Sequence, residues 1–130
     1  MKRYLLILGL AAMPALTLPS LSYAVDKDAA LALAKKSGCL ACHSVDKKVV
    51  GPAWMDVSKK YKGVATISVK LTDGTEVSDS PKNALVKKVK AGGKGNWTDV
   101  TGGVPMPPYS PRVADADIDT LVSFVLSLAE

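Results

Sequence analysis

The five residues Cys39-Leu40-Ala41-Cys42-His43 hold both cysteines and the only histidine of the chain. Soft and imidazole donors gathered so tightly have few uses: a disulfide clasp, a redox dithiol, part of a zinc site, or an anchor for a larger group. A C-x-x-C disulfide closes a tiny loop, removes little entropy from the unfolded chain and so staples almost nothing. A structural zinc site needs four ligands, and this motif offers three. A redox dithiol belongs at a strand-to-helix junction in a β-α-β fold. Here a helical pattern precedes the motif and no run of parallel strands follows it.

The compartment narrows the choice. Lys2 and Arg3 precede an apolar run from Tyr4 to about Leu18, and Ser22-Tyr23-Ala24 supplies small residues at the −3 and −1 positions of a cut. That is the pattern of a secretory signal peptide over residues 1–24, cleaved after Ala24. The alternative, an uncleaved anchor, suits the sequence less well, because Pro14 interrupts an apolar run already short for a span of about 20 residues. Residues 25–130 are then expected to form one domain. Loss of Lys2 and Arg3 leaves 15 basic against 12 acidic side chains, a net +3 instead of +5. So mild a charge, with no arginine-rich stripe and a single phenylalanine, Phe124, gives no support for nucleic-acid binding.

In an exported chain, C-x-x-C-H reads as the attachment pattern of c-type haem. Two thiols three positions apart reach the two vinyl groups along one edge of the macrocycle, and the histidine that follows is carried beneath the iron. Cys39 and Cys42 are therefore expected to form thioethers, with His43 an axial ligand. For the other face of the iron, the methionines beyond the leader are Met55 and Met106. Met55 follows His43 by twelve residues and is expected to pack in the core. Met106 lies far along the chain, braced by Pro105, Pro107 and Pro108, whose fixed φ would hold a thioether in place. Met106 is the expected second axial ligand.

The pattern along residues 25–130 predicts three helices and a strand-like insert. The first helix, over "DKDAALALAKKSG", has Asp26 or Asp28 as its cap and Gly38 as its left-handed exit. A second, "SPKNALVKKVKAGG", has Ser80 as N-cap, Pro81 at its first position, Gly92 as its stop and Leu85, Val86 and Val89 on one face. The last, "DADIDTLVSFVLSLAE", spaces Ile118, Leu121, Val122 and Val125 helically, with aspartates at its positive end. Between the first two, Ile67, Val69, Leu71 and Val77 alternate about Asp73-Gly74, which predicts a hairpin over residues 64–78. The stretch "AGGKGNWTDVTGGVPMPPYSPR" is expected to be an ordered loop.

These features together resemble a class I bacterial cytochrome c of the small, single-haem periplasmic type. The resemblance runs from the first helix through "GCLACHS", "VGPAWMDVSKKY", "LVKKVKAGGKGNW" and "PMPP" to the last helix. It implies an all-α cytochrome c fold, three or more helices around one covalently bound haem c, with the small β-hairpin as an insertion. It also implies that the Pro52 carbonyl accepts from the second nitrogen of His43, and that Trp97 lies near a haem propionate. The hairpin is extra relative to the smallest members of the family, and "TDVTGGV" lengthens the path from Trp97 to Met106.

The expected function is electron carriage in the periplasm and not catalysis. The one histidine is spent on the iron, Met106 closes the other face, and Glu76 and Glu130 are the only glutamates. A haem subunit of a larger oxidoreductase and a gas-binding sensor with a displaceable methionine are the other readings. Expected partners are redox proteins, acidic in character where the lysines at 47–48, 59–62, 87–90 and 94 face them. No stable membrane insertion is expected once the leader is removed.

Overall fold

The structure, a computed structural model, describes residues 25–130; the leader lies outside them. Helix α1 spans Lys27–Lys36. Of its two candidate caps, Asp26 serves, its carboxylate accepting from the amides of Asp28 and Ala29 at 2.9 and 3.0 Å. Gly38 then takes φ +81° and turns the chain into a 3-10 turn over Cys39–Ala41. The C-x-x-C-H motif therefore begins one turn beyond a well-capped helix.

The hairpin forms as β1 (Ile67–Lys70) and β2 (Glu76–Asp79), antiparallel, with Val69 opposite Val77. It is docked into the body of the molecule. Ile67 and Val69 point inward, Val69 being 1% exposed, and β1 lies against the next long helix. That helix, α3, spans Pro81–Ala91 with Ser80 capping the amide of Asn83. The last helix, α5, spans Asp115–Ser127 and buries the expected Ile118, Leu121, Val122 and Val125.

Two helices go beyond the sequence expectation. Helix α2, Trp54–Tyr61, is two turns long and begins at Ala53 with no side-chain cap, so it lacks the usual start signal. Helix α4, Thr98–Thr101, absorbs the lengthened path after Trp97 as a single turn ending at left-handed Gly102. Met55 corrects an expectation. Helix α2 buries Trp54, Val57, Ser58 and Tyr61, a stripe at helical spacing, and the next position round, Met55, is left only half-buried at its edge.

The core lies where α1, α2, α3 and α5 meet. Ala30, Ala34 and Ala84 are at most 1% exposed, and their small size lets α1 and α3 pack closely against α5. Leu85, Val86 and Val89 on α3 are only half-buried. Leu85 and Val89 form part of a cleft wall, so part of their apolar surface faces something other than protein.

Candidate functional site

That cleft is large and mostly apolar. Its open space, mouth included, is about 1150 Å³. Cys39, Cys42, His43, Pro52, Trp97 and Met106 all line it. Residues spread over nearly seventy positions thus meet at one place. Met55 does not line it.

The His43 side is built with little freedom. The amides of Val50 and Gly51 donate to the Cys42 carbonyl at 3.2 and 2.8 Å, folding the 44–52 loop back beneath the motif. His43 Nδ1 then donates to the Pro52 carbonyl at 2.8 Å, the partner the resemblance implied. This bond fixes the tautomer and leaves Nε2 as the nitrogen with a lone pair to offer. The Trp54 ring stacks on the imidazole, centroids 5.8 Å apart. A Cβ at Gly51 would stand 2.4 Å from His43 Cε1, so glycine is required for the ring to lie where it does. Burial holds His43 below its ordinary pKa, although the bond to Pro52 pulls the other way. Burial thus favours the neutral ring, the form in which an imidazole binds a metal.

On another scaffold, Met106 pairs with Gly93. The Gly93 amide donates to the Met106 carbonyl at 2.9 Å, and the Met106 amide to the Gly93 carbonyl at 3.0 Å. A Cβ at Gly92 would come within 2.6 Å of the Met106 carbonyl oxygen, so the end of α3 and the proline-rich loop touch backbone to backbone. Cys39 and Cys42 are not joined to each other, and both side chains are half-buried.

Trp97 packs edge-on to Tyr61 at 6.4 Å, and Lys60 Nζ lies 4.3 Å from its ring centre. Beside it, Tyr61 Oη and Asn96 Oδ1 are buried without a hydrogen-bond partner among the described residues. Such atoms want a polar partner, and Asn96 itself lines the cleft. The cleft therefore offers two cysteine sulfurs, an oriented imidazole and a thioether within apolar walls, and one unpaired amide oxygen, that of Asn96. That set fits a large, flat, mostly apolar metal macrocycle with a polar edge.

The family model for cytochrome c matches residues 28–129. The chain belongs to the cytochrome c family. It is 46% identical over 98 residues to cytochrome c-551 of Allochromatium vinosum, covering 75% of this chain and 84% of that protein. It is 40% identical over 96 residues to cytochrome c-552 of Hydrogenobacter thermophilus, covering 74% and 78%. Among solved structures, cytochrome c552 of Nitrosomonas europaea superposes with a TM-score of 0.56 at 38% identity, covering 75% of this chain and 98% of that one. The class 1 cytochrome MtoD of Sideroxydans lithotrophicus ES-1 gives a TM-score of 0.60 at 30% identity, covering 82% and 100%.

As a small class I c-type cytochrome, the chain carries one covalently attached haem c and is an electron-transfer protein, not an enzyme. Its fold is the all-α cytochrome c fold with a small two-stranded sheet. Among the described residues, no helix is long and apolar enough to cross a membrane.

The sequence reading missed Gly51 and Trp54, which shape the His43 side, and Tyr109, a buried residue of the cleft wall. The signal for Gly51 and Trp54 was the run Gly51-Pro52-Ala53-Trp54, in which a glycine and an aromatic flank the proline that receives the histidine.

Proposed function

We propose that this cytochrome is a periplasmic single-electron carrier with haem thioether-bonded to Cys39 and Cys42 and with His43 and Met106 as axial ligands. Residues 1–24 are the export signal and residues 25–130 the carrier domain. The supporting observation is the convergence of all four side chains on one apolar cleft. Bound there, haem c supplies an iron that takes up and gives back one electron.

The protein's own residues set the conditions. The Pro52 carbonyl holds His43 in the tautomer that presents Nε2, and Gly51 and Trp54 fix the plane of the ring. The Gly93 pairing holds the Met106 backbone. A thioether opposite imidazole favours the reduced state and raises the potential. Leu85, Val89, Leu121, Val122 and Val125 line the cleft and exclude water.

The lysines divide by what they already bind. Lys82, Lys87 and Lys90 pair with Asp119, Asp79 and Asp115. Lys47 and Lys48 flank exposed Val49 and Val50, while Lys94, like Val50 and the exposed Val104, borders the cleft. An acidic redox partner docked at this mouth would meet exposed valines with Lys94 at the cleft edge and Lys47 and Lys48 next to Val49 in the chain.

The test is covalency by site. Acid acetone should leave haem on the wild-type protein, and the mature mass should carry one haem on a chain starting at Val25. Cys39→Ala and Cys42→Ala should each leave a single thioether. Free haem released from the wild-type protein would sink the assignment.

A further inference from the structure

Lys88 projects from α3 into the join between the hairpin and the Met106 loop. Its ammonium donates to the carbonyl of Lys70, at the end of β1, and to that of Lys94 at 3.3 Å. Unlike Lys82, Lys87 and Lys90 on the same helix, it forms no ion pair among the described residues. Two further side chains bridge the same join. Thr72 Oγ1 donates to the Ala91 carbonyl at 2.8 Å, and Asn96 Nδ2 donates to the Ser68 carbonyl at 2.6 Å.

Gly93 sits in the middle of this clasp. A Cβ there would stand 2.5 Å from the Lys70 carbonyl oxygen and 2.8 Å from the Leu71 carbonyl carbon, so the hairpin rests directly on the glycine backbone. On its other side Gly93 exchanges both backbone bonds with Met106. The contacts run without a gap from the hairpin through Gly93 to Met106.

Packing alone does not account for Lys88. The hairpin already buries Ile67 and Val69, and apolar contact needs no cation. Placing a half-buried ammonium against two carbonyls costs desolvation, which also pushes its pKa down. Charge-assisted bonds return that cost by fixing geometry.

We propose that Lys88 is a positioning residue which, with the β1–β2 hairpin, holds Gly93 and through it Met106 at the cleft. The inserted hairpin is then a brace for the methionine loop. This builds on Met106 being the distal ligand, and the two ideas fail separately.

The test uses the oxidised holoprotein with two readouts: amide hydrogen exchange at Gly93 and Met106, and the rate of imidazole binding to the iron. Both report local opening of the loop. Lys88→Met keeps the aliphatic stem and should speed each by about tenfold, the scale of losing a charge-assisted bond, while leaving the α1 and α5 amides unchanged. Thr72→Val should act in the same direction more weakly, and it decides the matter if Lys88→Met does not fold. Lys82→Met, on the same helix, should change neither readout. Unaltered exchange at Gly93 and Met106 in Lys88→Met and Thr72→Val would overturn the brace. So would an acceleration spread equally over α1 and α5. If the wild-type iron binds imidazole as fast as an open site, the Met106 ligation fails, and exchange alone judges the brace.

Discussion

At Gly51 a single hydrogen atom decides where the imidazole lies. Gly51→Ala places a Cβ 2.4 Å from His43 Cε1, so the ring must shift or the loop must open. The expected loss is about 1–3 kcal/mol, the range for overpacking a filled site, read from denaturant unfolding of the holoprotein. The visible spectrum should change with it, because the displaced group is the proposed ligand. Met55 is the contrasting residue. Half-buried and off the cleft, its truncation to alanine should cost less than about 2 kcal/mol, the lower bound for a fully buried methionine, and leave the spectrum alone. At this scale the sequence was most legible where chemistry dictates spacing. The spacing of Cys39, Cys42 and His43 is the one the shape of a haem would require of the residues proposed to hold it, and the Pro52 contact followed from resemblance. Gly51 and Trp54 were not legible, because their roles depend on a loop folding back, which no local pattern encodes.

Among the elements, those with explicit caps or, like α5, a long apolar periodicity were readable, and the short uncapped α2 was not. Helices α1 and α3 carry Asp26 and Ser80 as caps and appear where expected, and the Asp73-Gly74 hairpin forms likewise. Helix α2 lacks a capping side chain and is held by tertiary contacts. One of these is polar. Ser58, 1% exposed, donates to the Leu126 carbonyl at 2.7 Å and accepts from the Ala129 amide at 3.0 Å, joining α2 to the end of α5. Ser58→Ala strands both groups and should cost about 1–3 kcal/mol in denaturant unfolding, far more than its setting beside two lysines would suggest. The base of the hairpin is fixed by charge. The bond from Lys87, then those from Asn83 and the Ser80 amide, holds the Asp79 carboxyl below the ordinary carboxylate range. A depressed folded-state pKa means that its contribution is present above the unfolded value and is lost as pH falls through the folded one. The stability difference between wild type and Asp79→Asn should therefore be widest near neutrality and close in acid below the carboxylate range. A difference that grows as pH falls would contradict this sign.

For the molecule as a whole, the cleft is the part of the core that haem would complete. Leu85, Val89, Leu121, Val122 and Val125 present apolar surface to it, so removing the haem exposes walls that a protein interior would cover. This explains why the periodicity of α3 was legible while its degree of burial was not: the sequence marks the face and omits the non-protein partner. The lysines act at this scale too. If Lys47, Lys48 and Lys94 meet an acidic partner, the bimolecular electron-transfer rate should fall as salt rises, most steeply up to about 0.1 M, where the Debye length is about 10 Å. A rate flat in ionic strength would confine these lysines to solubility. The central claim is that His43 and Met106 close the two faces of one iron. The near-infrared spectrum of the oxidised protein tests it most directly, through the weak sulfur-to-iron charge-transfer band of thioether ligation. Wild type and Met55→Ala should show the band, and Met106→Ala should lose it together with its high reduction potential. A band that survives in Met106→Ala and vanishes in Met55→Ala would contradict the assignment.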